Sequence, residues 1–235
     1  IAFLAFLSWF GLKAKMPESQ VSIRKQPLSH ILYDFKQVYK NKRFLGMTLA
    51  LPMVSMPLML WIALSPVMLV EELGFSSMQY GLAQFPVLGG LILGNIVLIK
   101  IIDKLALGQS VLIGLPIMLL GSLVLVAGVI WQDYLIWCLI AGMTLLSFGE
   151  GISFSVLYRF ALMSSEVSKG TVAAAVSMLL MFSFFFIIEL VRVLYEQFHL
   201  IGYSVSCLVL IALWFTFPRA ILKQVLQERK QSGVF

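Results

Sequence analysis

Apolar and polar positions follow one another along this chain in long blocks. Six apolar stretches, 44–70, 78–102, 110–131, 135–159, 170–195 and 200–218, are separated by short polar connections. Each is roughly 19–27 residues long, enough for a helix rising 1.5 Å per residue to cross or nearly cross a hydrocarbon core of about 30 Å. A backbone in lipid must satisfy its own hydrogen bonds, so stretches of this length predict helices. The pattern therefore predicts an all-α membrane protein with six crossings.

The ends read differently. The apolar run 1–12 reaches only about 18 Å as a helix, so it is expected to be the exit half of a preceding membrane helix. A polar stretch, 13–43, follows with Pro17 and Pro27. Within it, apolar residues at 28, 31, 32, 35 and 38, with Lys36 and Lys40 elsewhere, predict a short amphipathic helix on the membrane surface. The expected organisation is a helix stump (1–12), a cytoplasmic linker (13–43), a six-helix membrane unit (44–218) and a basic cytoplasmic tail (219–235).

Charge fixes the orientation. The connections alternate in sign: basic before residue 44, acidic at Glu71 and Glu72, basic at Lys100 and Lys104. They continue acidic at Asp133, basic around Arg159 and Lys169, acidic at Glu196, and basic after Arg219. Positive residues stay inside, so the linker and the C-terminus are expected on the cytoplasmic side of the membrane. With 60% hydrophobic and 12% charged residues, the surface must face mostly lipid. The net charge of +6 sits in juxtamembrane clusters, which mark topology and anionic lipid rather than nucleic acid. Cys138 and Cys207 lie inside apolar stretches, and His30 and His199 lie outside them. That pattern offers no metal site, cofactor site or Ser-His type of catalysis, and an enzyme is not expected.

Against this background Glu150 stands out, in the middle of the fourth stretch between Gly149 and Gly151. A carboxylate at the bilayer centre costs several kcal/mol, so burial favours its neutral form, and such groups commonly mark proton or substrate paths. The other reading is a Glu hydrogen-bonded to a neighbouring helix. Glu189 and Arg192, three residues apart near the outer end of their stretch, are expected to pair. Pro52, Pro57 and Pro66 predict a bent first helix, and Gly90 and Gly94 a close helix crossing. Gln84 and Asn95 share one helix face, either lining a cavity or bonding another helix. Trp61, Phe154, Phe184, Met59 and Met181 supply large, adaptable apolar surface suited to lipophilic ligands.

Three segments carry a family resemblance: Ser55-Met-Pro-Leu-Met-Leu-Trp-Ile-Ala-Leu-Ser-Pro66, Tyr80-Gly-Leu-Ala-Gln-Phe-Pro86 and Ser168-Lys-Gly-Thr-Val-Ala-Ala-Ala175. With Phe148-Gly-Glu-Gly-Ile-Ser-Phe-Ser-Val-Leu-Tyr-Arg159, they resemble the C-terminal half of MdfA-type drug/proton antiporters of the major facilitator superfamily, in particular chloramphenicol exporters. The resemblance implies helices 7 to 12 of a twelve-helix fold, preceded by the end of helix 6. The implied partners are the absent N-terminal six-helix half, small lipophilic drugs, protons and the bilayer. It also implies a drug pocket bordered from this half by Leu58, Met59, Ile62, Ser177, Met181 and Phe184, to which the residue reading adds Gln84 and Phe154. The family's main protonatable acids lie on helix 1, outside this chain, so Glu150 as a proton site rests on its own burial. Two further readings stay open: a proton-coupled metabolite symporter of the same fold, and a half that is inactive in isolation.

Overall fold

The computed structural model describes residues 28–104, 108–165 and 167–232, with side chains up to residue 214. The stump at 1–12 and the first part of the linker lie outside the described residues. Internal contacts divide the chain into two units, 1–32 and 33–235. Only the first turn of one helix is described in the former; the fold below is that of the latter.

Helix α1 (Leu28–Lys40) is the amphipathic helix that the spacing predicts. Val38 is buried, and Phe35 and Tyr39 stack at 6.2 Å and pack on the core. Asn41 then ends α1 and starts α2 (Lys42–Ser65). Its backbone is extended, and its Oδ1 accepts from the N–H groups of Arg43 (2.9 Å) and Phe44 (3.3 Å). Those are two of the donors that a helix start leaves without a partner. The Asn41 Nδ2 donates to the Ser164 carbonyl at 3.0 Å, pinning this junction to the far end of the chain's fourth apolar block.

Pro52 and Pro57 are absorbed inside α2, whereas Pro66 opens a wider π-helical turn, Pro66–Glu72. A proline removes one backbone donor from the ladder, and the Ser55 hydroxyl donates to the Leu51 carbonyl at 3.1 Å in this loosened region. Helix α3 (Ser77–Ile101) begins with a reciprocal cap between Ser76 and Gln79. Helix α4 (Gln109–Ile130) follows Gly108, whose φ of 89° suits glycine. Helix α5 (Leu135–Met163) comes next, then α6 (Lys169–Ser232).

Among the described residues, five helical segments are long and apolar enough to cross a membrane, where six separate ones were expected. The difference lies in Lys169–Trp214, whose 46 residues would extend about 69 Å, over twice the hydrocarbon core. This segment is not straight. His199 breaks it with φ 50° and ψ −138°, and a Cβ added to Gly202 would sit 2.9 Å from the Leu194 carbonyl carbon. The second arm therefore folds back beside the first, and a one-residue hinge stands where a loop was expected. The Nδ1 of His199 lies 2.8 Å from Glu72 Oε1, tying the hinge to the end of the π turn.

Helix α5 is central, packed against α2, α3 and α4, while α6 packs on α2 and α4. Close crossings set these contacts. A Cβ on Gly94 of α3 would lie 3.1 Å from the Gly151 Cα of α5, and one on Gly121 of α4 would lie 2.8 Å from the Gly142 carbonyl. Backbone meets backbone on two sides of α5, which only glycine permits.

Candidate functional site

The two glycine faces of α5 decide where Glu150 points. Gly149 approaches α4 at the Gly114 carbonyl, and Gly151 approaches α3 at Leu91 and Asn95. Glu150 lies between them, about half a turn around the helix from the exposed Ala141, Ser155 and Arg159. Only 6% of its surface is exposed. Met143, two turns earlier on the same side, meets the Tyr203 hydroxyl of the α6 second arm at 3.1 Å. The carboxylate therefore faces the interior of the six-helix bundle rather than its open side.

Among the described residues no hydrogen bond or ion pair to Glu150 is formed. Ser147 and Ser153, one turn before and one turn after, are fully buried, and their hydroxyls also lack partners. Three polar side chains thus share one buried face of α5. Buried polar atoms are seldom left so, and a Glu serving to hold two helices together would have a partner on the second helix. The reading of Glu150 as a helix-to-helix bond has no contact to support it here.

The predicted drug-contacting residues separate into three groups. Met59 and Ile62 lie one turn apart on the open side of α2, with Ile62 53% exposed, while Leu58 is turned into the core at 4%. Ser177 and Met181 lie on an exposed face of the α6 first arm; Met181 is 63% exposed, and Phe184 is partly buried one turn further. Phe154 is partly buried one turn beyond Glu150 and stacks on Tyr158 at 6.1 Å.

Gln84 is engaged elsewhere. Its Oε1 accepts from Trp61 Nε1 at 2.7 Å and its Nε2 donates to the Ser65 hydroxyl at 3.4 Å, which lies 3.3 Å from Tyr80. These four residues fasten α2 to α3. Asn95 bonds back to the Leu91 carbonyl of its own helix at 2.9 Å. The spacing of Gln84 and Asn95 placed them on one face but could not reveal Trp61 as a partner across helices. Gln84→Leu is expected to cost roughly 1 kcal/mol, the scale of an interhelical hydrogen bond. Thermal unfolding in detergent checks this: Gln84→Leu combined with Trp61→Phe should cost little more than Gln84→Leu alone, and fully additive losses would contradict the pairing.

Glu189 and Arg192 do pair, with Arg192 Nη2 at 2.5 Å from Glu189 Oε1, and Arg192 also reaches Glu196. All three are half exposed, which fits an interfacial cluster. A groove of about 660 Å³ runs between α2 and both arms of α6, lined by Pro52, Met53, Ile187, Phe198 and Val209 among others. None of the predicted site residues lines it, and its walls are nearly all hydrocarbon.

No family model matches the chain. It is 70% identical over 229 residues, 97% of its length, to the chloramphenicol resistance protein CraA of Acinetobacter baumannii, of which it covers 55%. It is 37% identical over 196 residues to the multidrug transporter MdfA of Yersinia pestis, covering 83% of this chain and 48% of that protein. To MdfA of Escherichia coli O157:H7 it is 38% identical over 184 residues, 78% of this chain and 45% of that protein. The chain spans about half the length of these relatives, and the similarity lies in their C-terminal half. The resemblance carried by the four sequence segments is thus borne out across nearly the whole chain.

Proposed function

We propose, from that similarity, that this chain is the C-terminal half of a proton-coupled multidrug exporter of a bacterial inner membrane. It would work with an N-terminal six-helix half, and chloramphenicol-type and other lipophilic drugs would be its cargo. The observation that carries this reading is the 70% identity over 97% of the chain to a chloramphenicol resistance protein. The alternating charges of the connections support a cytoplasmic C-terminus.

In this reading Met59, Ile62, Ser177, Met181 and Phe184 form this half's share of an apolar wall facing the other half. Flexible Met and flat Phe side chains re-pack around differently shaped drugs at little cost. Leu58 and Gln84 support the wall from behind, through the core and through Trp61. Phe154 lies one helical turn from Glu150, stacked on Tyr158.

Glu150 is the proton site of this half, and its inward orientation determines how coupling works. A proton arriving from outside leaves a neutral acid, the form a dry helix bundle tolerates best. Loss of that proton inward leaves a carboxylate that needs water or a counter-charge, so the packing around α5 must loosen. Protonation and helix packing are thereby linked, and the drug wall feels the proton through α5 and its neighbours rather than by touching it. The two halves would rock about the cavity between them.

Expression in a drug-sensitive host tests the reading. The complete two-half protein should raise the chloramphenicol concentration that the host survives, and this chain alone should not. Accumulation of a metabolite with no resistance would favour a symporter on the same fold instead.

A further inference from the structure

One side of α5 carries Met143, Ser147, Glu150 and Phe154 in a row. Their spacings of four, three and four residues keep them within about 60° of one another around the helix. The first three are buried and Phe154 is partly buried. The row changes character along its length. Toward the outer end, beside the acidic connection at Asp133, the fully buried Tyr203 hydroxyl of the α6 second arm donates to the Met143 sulfur at 3.1 Å. A thioether is a weak acceptor, so this hydroxyl is held in place without being tied up. One turn further in, the Ser147 hydroxyl is buried with no partner among the described residues. Glu150 comes next. Beyond it, toward the inner end, stands Phe154, stacked on Tyr158 at 6.1 Å. Ser153 is turned aside, its oxygen against Gly114 of α4.

Hydroxyls therefore approach Glu150 from the outer side of the bundle and aromatic rings from the inner side. The hydroxyl end of the row also lies near water. Tyr203 is one turn, about 6 Å, from His199, whose side chain is 72% exposed at the hinge and bonded to Glu72. Helix turns repeat every ~5.4 Å, and one water with hydrogen bonds of about 2.8 Å on either side spans a similar gap. A hydroxyl suits such a row because it accepts one proton as it releases another. Packing alone does not account for Ser147: Ala would fill its place without the roughly 1–3 kcal/mol cost of an unpaired buried hydroxyl.

We propose that Tyr203 and Ser147 are proton-positioning residues, which pass a proton from the outer end of the α6 second arm to Glu150 along this face of α5. The inference rests on Glu150 being the proton site of this half and adds the route by which its proton arrives. When Glu150 is ionised, water drawn to the carboxylate bonds to the Ser147 and Tyr203 hydroxyls. Each hydroxyl then receives a proton from its outer neighbour as it gives its own to the inner one. Both end neutral, and the carboxylate alone gains a proton. The Phe154–Tyr158 stack denies the inner side an equivalent path until the packing around α5 loosens.

The test uses the two-half protein in liposomes, with an imposed proton gradient and chloramphenicol as the drug followed. Ser147→Ala with Tyr203→Phe should lower kcat by roughly ten- to a hundredfold, approaching the low end of what a positioned proton-transfer group contributes, with KM unchanged. Replacing H2O by D2O should slow this variant more than it slows the unaltered protein, because proton delivery has become the slow step. Ser147→Thr, which keeps the hydroxyl, should transport normally. So should Ser122→Ala, whose lost hydroxyl was bonded to the Leu119 carbonyl of its own helix. An unaltered kcat in the double variant, with Glu150→Gln impaired, would overturn the route and leave the proton site standing; an unimpaired Glu150→Gln would remove both. A lower kcat with the isotope ratio of the unaltered protein and a fallen unfolding temperature would make the two hydroxyls structural. Tyr203→Phe alone keeps the ring in the core, so it decides the matter where the double variant does not fold. The larger slowing in D2O is expected there too, and its absence overturns the route.

Discussion

Glu150→Gln in the complete two-half protein is expected to collapse proton-driven drug accumulation while leaving the fold intact. The substitution keeps the shape of the side chain and removes its ability to ionise. One proton moving down about 100 mV supplies roughly 2.3 kcal/mol, enough to support a drug gradient near fiftyfold. Losing the contribution of that proton should lower the steady-state gradient by up to about that factor. Stability should not follow, because Glu150 makes no hydrogen bond to any described residue that its replacement could break. Transport into inverted vesicles, with the unfolding temperature measured in parallel, separates the outcomes. Export at the unaltered level would place the coupling wholly in the other half, and a large fall in unfolding temperature would make Glu150 structural after all.

The second large effect concerns the α3–α5 crossing. Gly94→Val should destabilise the bundle by about 3 kcal/mol, the upper range for overpacking a tight contact. The first added carbon would meet the Phe148 carbonyl and lie 3.1 Å from the Gly151 Cα. Those are backbone atoms of a central helix and cannot rotate away. Gly89, on the same helix, has nothing within 4 Å of its added Cβ. Gly89→Ala should therefore be neutral or stabilising by up to about 1 kcal/mol through helix propensity. Unfolding temperatures of the two variants check the pair; similar values for both would contradict the crossing.

Gly89 and Gly94 also show what the sequence could and could not reveal. Hydrophobic block length is a one-dimensional property, so the long apolar helices, the amphipathic helix α1 and the charge alternation were legible from residue order. Glycine spacing picked out Gly90 and Gly94 as the close crossing, and both meet α5; it could not show which helix they would meet, because that depends on how two helices rotate against each other. The same limit hid the Trp61–Gln84 bond and the inward turn of Leu58. Glu150 was legible as a buried acid, yet its side of α5 was set by Gly149 and Gly151 meeting two different helices. The break between the fifth and sixth apolar stretches was legible at 196–199, but its form as a single residue of positive φ, His199, beside Glu72 from far along the chain, was not. The pairing of Glu189 with Arg192 was legible because it is local to one helix.

As half of a proton-driven drug pump, this chain should support gradient-driven drug movement once it is joined to an N-terminal half. The complete two-half protein is reconstituted in liposomes, and chloramphenicol movement is followed with and without an imposed proton gradient. Proton-driven antiport predicts drug movement opposite to the proton gradient that stops when an ionophore dissipates it. Drug movement indifferent to the gradient, at equal protein content, would contradict it.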